Sequence, residues 1–187
     1  MICDFFKKNL VIESPRLILR PISKKDVGDL FQIYSDTEMM QNRALLPFKS
    51  IEEAQSLADF FIRGMKEKTI LRWGMELKEN GQLIGTCGFT SFSEQDRKAE
   101  LEFEMIGKPN KGRGLMRETI LVLLNFAFTN TDINRVEALI ETQDMKAPEL
   151  LKKVGFKKEG DLREYKMRRG KLTDMTLWSM LRSDFPL

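Results

Sequence analysis

The sequence contains no histidine and only two cysteines, Cys3 and Cys87, in 187 residues. The absence of histidine excludes Ser-His-Asp and Cys-His nucleophile systems, histidine general bases and the commonest protein metal ligand. Two cysteines are too few for a disulfide framework or a zinc cluster. We therefore predict a protein without a metal site and without the usual hydrolase chemistry.

Long apolar runs are also missing. The opening stretch MICDFFKKNLVIES is interrupted by Asp4, Lys7 and Lys8, so it has no signal-peptide core, and no later run approaches the length of a membrane span. We expect a cytoplasmic protein without a membrane partner. The net charge of +3 is too small to require nucleic acid, although it suits an anionic cofactor.

The length and composition fit one globular unit. A chain of 187 residues with 42% hydrophobic content can bury a sizeable core. It has no internal repeat and no low-complexity linker. We therefore expect residues 1–187 to form a single domain.

Hydrophobic periodicity and turn residues predict eleven elements. Capping boxes at Ser23 with Asp26 and at Ser50 with Glu53 open two amphipathic helices. Asn80-Gly81 is typical of a hairpin turn, and Arg169-Gly170 marks a second one. The predicted strands are 16–22, the two around residue 80, 99–107, 134–142 and the two closing ones, and the later helices are 115–128 and 147–154.

This order indicates a mixed α/β fold of the α+β class. The sheet is predicted to have about seven mostly antiparallel strands, one βαβ crossover and about four helices. The crossover begins after the strand 99–107. Ligands bind near the carboxyl ends of strands where such sheets change direction, so we expect a binding site there.

The crossover starts with the loop GKPNKGRGLMRETI, residues 107–120. Gly107 and Gly112 have the spacing of a phosphate-binding Walker A loop, but Arg113 and Gly114 replace its lysine and hydroxyl residue. The dinucleotide pattern G-x-G-x-x-G fails as well, because Arg117 stands at its last glycine. Two interpretations stay open: a glycine-rich loop that holds a phosphate at a helix N-terminus, or a simple strand-to-helix turn.

The chain resembles the GNAT acetyltransferase superfamily, and within it the ribosomal-protein N-terminal acetyltransferases (Rim type), over nearly its full length. The matching stretches, in chain order, are SPRLILRPISKKD, GQLIGTCGF, KGRGLMRETILVLLNFAF, NRVEALIE, LLKKVGFKKEGDLRE and GKLTDMTLWSML. The resemblance implies a GNAT-like sheet and transfer of an acetyl group from acetyl-CoA to a primary amine, and it is strongest to enzymes that acetylate a protein N-terminus.

The resemblance assigns the loop to the pyrophosphate of acetyl-CoA. The family pattern [QR]-x-x-G-x-[GA] is matched by Gly112 and Gly114, whereas Pro109 replaces its polar first residue. Since backbone amides make the contact, the site is expected to survive this loss. The implied cofactor-binding residues are Met105 and Ile106, near which an amide meets the oxyanion, together with Asp144, Lys111, Gly112, Arg113, Gly114, Leu115 and Met116.

The resemblance also implies a carboxylate base on the strand AELEFEMIG. Glu100 matches the position at which several family members place the base, and Glu102 is the second choice. Because Glu100, Glu102 and Glu104 alternate on one face, their crowding is expected to raise the pKa of at least one. The alternative is a solvent-facing row that pairs with basic residues on a neighbouring strand.

Two departures concern the family pattern N-x-x-A-x-x-x-Y, whose tyrosine protonates the departing thiolate. Here Asp144 replaces the asparagine, Ala147 matches, and Leu151 replaces the tyrosine. A thiolate with a pKa near ~8.5 can take its proton from solvent, so activity is still expected. A sensor that binds acyl-CoA without turning it over is the rival interpretation.

The acceptor that we expect is a protein N-terminal amine of the ribosomal type, and the alternative is a small amine such as an aminoglycoside, a polyamine or an amino acid. Nucleic acid is expected only as part of a ribosomal substrate, and pairing into a homodimer is an expectation by analogy. Trp73, Phe89 and Phe92 either line an acceptor groove or belong to the core. The basic stretch 146–171 either contacts a phosphate or acidic partner, or forms a solvated face.

Overall fold

The computed structural model describes residues 10–40, 45–105, 110 and 112–186 and folds them around an eight-stranded sheet. The strands are β1 (Ile12–Glu13), β2 (Leu17–Pro21), β3 (Leu71–Leu77), β4 (Leu83–Ser93), β5 (Lys98–Met105), β6 (Arg135–Glu141), β7 (Lys157–Arg168) and β8 (Lys171–Leu181). The α-helices are α1 (Val27–Ser35), α2 (Thr37–Met40), α3 (Ile51–Lys66), α4 (Leu115–Asn130) and α5 (Lys146–Val154).

The strands are ordered β1-β2-β3-β4-β5-β6-β8-β7 across the sheet. Neighbours pair antiparallel except β5 and β6, which pair parallel and are joined by the crossover through α4. The predicted mixed fold with a mostly antiparallel sheet is therefore confirmed. The described part of the chain has one strand more than the seven expected, because the two-residue β1 is too short to give a periodic signal.

Both predicted capping boxes are present. The Asp26 carboxylate accepts a hydrogen bond of 2.7 Å from the Ser23 N–H, and the Glu53 carboxylate accepts one of 3.1 Å from the Ser50 N–H. Burial favours the neutral acid of Asp26, but hydrogen bonds from Arg20 and Ser23 hold its pKa below the usual range. These local contacts fix where the helical segments leading into α1 and α3 begin.

Helices cover both faces of the sheet. Side chains of α1 and α3 form one apolar cluster, while α4 packs with most of the sheet into a larger one. Along β4, Leu83 belongs to the first cluster and Ile84 to the second, because successive side chains of a strand point to opposite faces. None of the helices in the described ranges combines the length and the apolar character of a membrane span.

Gly88 allows β3 and β4 to approach each other closely. A Cβ at this position would lie 1.9 Å from the Leu71 carbonyl oxygen and 3.0 Å from the Arg72 Cα. Both are backbone atoms, so no side-chain rotation can relieve the clash. Gly88 pairs with Arg72 on one side and with Glu102 on the other, at the centre of the sheet.

We predict that Gly88→Ala destabilises the fold, because the added methyl group pushes β3 away from β4. The expected loss in the free energy of unfolding is about 2–3 kcal/mol, measured by denaturant unfolding. Gly28→Ala is the control: a Cβ there meets nothing within 4 Å, and alanine favours the α1 helix. Equal stability of the Gly88→Ala variant and the wild type would contradict the prediction.

Candidate active site

A cleft opens where β5 and β6 stop pairing. Their parallel register covers only Lys98–Glu100 against Arg135–Glu137, after which β5 continues to Met105 and β6 to Glu141. The cleft between them has a volume of about 220 Å³. Among the described residues, its charged lining consists of Glu100, Glu102, Glu104, Glu141, Asp144 and Arg168.

The glycines of the loop before α4 adopt the conformation that favours glycine. Gly112 has a φ of 78° and Gly114, which caps α4, a φ of 76°. A Cβ at Gly112 would meet nothing within 4 Å, so the backbone is open to a ligand there. The side chains of Leu115 and Met116 are buried in the core, so only their backbone faces the loop. Ile106 and Lys111 lie outside the described residues, and Met105 is the last residue of β5.

Side chains from distant elements brace this loop. The Arg113 guanidinium donates hydrogen bonds of 3.1 Å to both carboxylate oxygens of Glu79 and one of 3.1 Å to Asn110 Oδ1. Arg16 donates to the Arg113 carbonyl oxygen at 2.7 Å and forms an ion pair of 2.7 Å with Glu118 in the first turn of α4. The Arg113 side chain is thus engaged by Glu79 and Asn110, and its carbonyl oxygen by Arg16.

Asp144 lies at the cleft and also holds the start of α5. Its Oδ1 accepts hydrogen bonds from the backbone N–H groups of Lys146 (2.8 Å) and Ala147 (3.1 Å). These are donors that a helix start leaves without an internal partner. Its carboxylate therefore has a structural contact in addition to its place beside the predicted cofactor site.

The glutamate row of β5 lies on the face covered by α1 and α3, and all three carboxylates meet basic side chains. Glu100 accepts a hydrogen bond of 2.8 Å from Lys166 Nζ and one of 3.3 Å from Ser91 Oγ. Arg72 lies 3.1 Å from Glu102 and 3.3 Å from Glu104. The alternative interpretation is right that basic side chains pair with the row, but neither partner lies on a strand next to β5. Arg72 is on β3, two positions away in the sheet, and Lys166 is on β7, three positions away.

Comparisons with known proteins agree with this geometry. Residues 16–157 match the family model described as an acetyltransferase (GNAT) domain. The chain belongs to the GNAT acetyltransferase family.

Its relatives include an uncharacterized N-acetyltransferase of Bacillus subtilis, YoaA, which is 34% identical over 92% of this chain and 97% of its own length. Among solved structures, a putative ribosomal-protein-serine acetyltransferase from Vibrio cholerae superposes with a TM-score of 0.83 at 18% identity and covers 92% of this chain and 97% of its own. A spermidine N-acetyltransferase from Vibrio cholerae, in complex with CoA and spermine, superposes with a TM-score of 0.76 at 22% identity and covers 92% and 99%.

The protein is thus a GNAT N-acetyltransferase with acetyl-CoA as its co-substrate. Among the described residues, no three His, Cys, Asp or Glu side chains group closely enough to hold a metal ion. The predictions of an acyltransferase and of acetyl-CoA are confirmed at this level.

A buried polar cluster supports the glutamates of this GNAT enzyme. Arg72 is only 3% exposed, and its Nε and Nη2 donate to Thr86 Oγ1 at 3.1 and 2.9 Å. Its guanidinium lies 5.3 Å from the centre of the Phe61 ring of α3. The Tyr34 hydroxyl of α1 contacts Thr86 Oγ1 at 3.1 Å and donates to Glu104. The cluster therefore ties both helices to the strands behind the cleft.

The charges of this cluster depend on one another. Burial and the neighbouring Glu104 carboxylate raise the pKa of Tyr34, so its hydroxyl keeps its proton. Burial alone would lower the pKa of Arg72, but the charges of Glu104 and Glu102 raise it above the ordinary value. Arg72 is thus a permanent cation whose desolvation is offset by two carboxylates.

The structure brings together residues that the sequence did not single out as a site. These are Arg72 and Tyr34 behind the glutamate row, and Glu141, Lys166 and Arg168 at the cleft. The signal for Arg72 was a single arginine in the otherwise apolar ILRWGM, since a buried charge needs a partner. Lys166 and Arg168 belong to the basic stretch 146–171, in which ion pairs to Glu100 and Glu141 replace a purely solvated face.

The aromatic candidates and Leu151 belong to the core. Trp73 and Phe89 are fully buried, and Phe92 is partly buried against the same cluster, so the core interpretation is confirmed for them. Leu151 is fully buried too, although Ala147 of the same helix reaches the cleft. The position of the tyrosine in the family pattern therefore contributes packing here and no proton donor.

We predict that Arg72→Met destabilises the protein by about 2–4 kcal/mol, because it leaves Glu102 and Glu104 beside each other without their cation. The measurement is denaturant unfolding in a double-mutant cycle with Glu104→Gln. The Glu104→Gln change is expected to cost less in the Arg72→Met background than in the wild type. Strictly additive losses would show that the pair contributes no coupling energy.

Proposed function

We propose that this GNAT enzyme, acting as one domain, acetylates a primary amine that carries further positive charge. Among the described residues, five carboxylates line the cleft, and the basic side chains that contact them are Arg72, Lys166 and Arg168. The excess of negative charge attracts a cation and disfavours an anionic acceptor. This lining is the observation that carries the proposal.

The residues before α4 suit the pyrophosphate of acetyl-CoA. Gly112 and Gly114 have positive φ, as is typical of loops whose backbone N–H groups surround an anion, and the start of α4 adds the positive end of its dipole. The open space at Gly112 leaves room for a phosphate group. Bound there, acetyl-CoA supplies the acetyl group as a reactive thioester.

Glu100 is the proposed base. It lies at the last paired position of β5, where the cleft begins, with its side chain 12% exposed. A carboxylate at that point can take the proton from the acceptor's ammonium group directly or through a water, which leaves a neutral amine able to attack the thioester carbon. Since Leu151 offers no proton, the departing thiolate takes one from solvent.

A small polyamine fits this lining best, because its second and third charges can lie against Glu102, Glu104 and Glu141. The second candidate acceptor is a protein N-terminal amine of the ribosomal type. It is supported by the Rim-type resemblance and by the backbone of β5 beyond Glu100, which is not paired with β6 and could pair with an extended peptide. Solved GNAT structures of this fold include proteins named for both acceptors.

We expect Gly112→Asp to weaken binding of acetyl-CoA and of CoA by about tenfold or more, because a carboxylate there repels the pyrophosphate. Isothermal titration calorimetry measures both affinities. Gly112→Asn is the matched control, since asparagine has nearly the same shape and also tolerates positive φ but carries no charge. Equal affinities for the two variants would remove the loop from the cofactor site.

Acetyl transfer by the wild type is expected to be faster with spermidine than with N-terminal peptides. The Glu100→Gln variant should bind acetyl-CoA as the wild type does, but its kcat/KM should be about 10²–10⁴-fold lower, because it lacks the base. The assay follows CoA release with each acceptor. Glu137→Gln is the control, because it removes a carboxylate from the position that pairs with Glu100 on β6. Turnover with peptides alone would establish the second candidate, and binding of acetyl-CoA without turnover of any acceptor would favour a sensor.

A further inference from the structure

The ammonium group of Lys166 lies on the carboxylate proposed as the base. Its Nζ is 2.8 Å from Glu100 Oε1, and both side chains are largely buried, with exposures of 26% and 12%. We infer that Lys166 holds the place of the acceptor's ammonium group when no acceptor is bound, so that acceptors must compete with it for Glu100. This makes Lys166 a residue that determines acceptor affinity, and the inference rests on the proposed role of Glu100.

The contact between Lys166 and Glu100 does not join adjacent strands, so it requires a bend in the sheet. Lys166 belongs to β7, and β8 and β6 stand between β7 and β5 in the sheet. In a flat sheet the two strands would be roughly 14 Å apart, farther than a lysine side chain reaches. The terminal hairpin of β7 and β8 must therefore bend over the cleft to bring Lys166 to Glu100.

A bulge in β7 produces the bend. Leu162 pairs with Met175 and Lys166 with Thr173, so β7 has two more residues than β8 in this interval. Within the bulge, Glu164 has a φ of 50° and its N–H donates to Asp174 Oδ1 at 2.7 Å. Bulges of this kind bend a strand and redirect its side chains.

Two further contacts hold the bent hairpin in place. Arg168 lies 3.9 Å from the Glu141 carboxylate at the far side of the cleft. Arg169 donates a hydrogen bond to the carbonyl oxygen of Met40 at the end of α2. Lys166 is thus carried by a segment anchored on β6 and on a helix, which holds its ammonium group against Glu100 at the start of the cleft.

Lys166 and a polyamine acceptor offer Glu100 the same chemical group. The Lys166 side chain and a polyamine each present a primary ammonium group on a flexible alkyl chain, and a carboxylate binds both through a charge-assisted hydrogen bond. An acceptor must displace Lys166 before Glu100 can take its proton. The Michaelis constant of a cationic acceptor therefore includes the cost of breaking the pair.

The test is the kinetics of acetyl transfer to spermidine in Lys166→Met, with Lys166→Gln as a second neutral variant. KM is expected to fall by about two- to fivefold, the range of a part-exposed ion pair, while kcat changes less. Lys166→Arg keeps the cation and should leave KM at or above the wild-type value. Lys158→Met is the matched control, because Lys158 pairs with Asp161 of its own strand, a carboxylate that does not line the cleft.

Direct binding of spermidine separates this inference from the proposed function. Calorimetry should show tighter binding to Lys166→Met than to the wild type, whether or not the protein turns spermidine over. Tighter binding without turnover would refute the proposed reaction but keep the competition. An unchanged or higher KM in both neutral variants, or equal spermidine affinities, would overturn the role of Lys166.

Discussion

The separation of β5 from β6 determines where the candidate active site of this enzyme lies. The two strands pair in parallel only through Lys98–Glu100 and Arg135–Glu137, and then diverge. Beyond this point β5 keeps its pairing with β4 and β6 keeps its pairing with β8, but the edges that face each other are unpaired. Unpaired amides and carbonyls at the centre of a sheet are costly unless a ligand or water satisfies them. Because α4 connects the same two strands, its N-terminus and the loop of Gly112 and Gly114 belong to the same crossover.

The charges on the sheet face opposite α4 form a network of ion pairs. Arg72 joins Glu102 and Glu104, and a second group joins Arg135 to Glu137 and Glu159. The contacts with Arg135, and then the hydrogen bond from Ser179, lower the pKa of Glu159 to about 2. Pairs that stay partly exposed contribute little stability. Their effect is to fix the orientation of carboxylates that would otherwise repel one another across neighbouring strands.

The elements that the sequence predicted are those with a local cause. Capping boxes at Ser23 and Ser50, the turn at Asn80-Gly81 and the alternation along β5 each depend on residues within a few positions of one another. The family resemblance added the assignment of the loop to acetyl-CoA and the choice of Glu100 as the base. The bend of the terminal hairpin was not predictable in this way. It depends on the bulge before Lys166 and on anchors to Met40 and β6, which are distant in sequence.

For Arg72, the sequence indicates that a carboxylate partner is needed but not which carboxylate it is. A lone arginine between the buried Leu71 and Trp73 requires a carboxylate partner, and the alternating glutamates of β5 offer several. Which of them it meets is set by register, which depends on hydrogen bonding across β4 and on the register shift between β3 and β4 near Met75. In the fold, Arg72, Gly88 and Glu102 occupy one row across three strands. Because Gly88 has no side chain, the guanidinium can extend across β4 to the glutamates, so the residue that permits close packing of β3 and β4 also leaves the path for their ion pair.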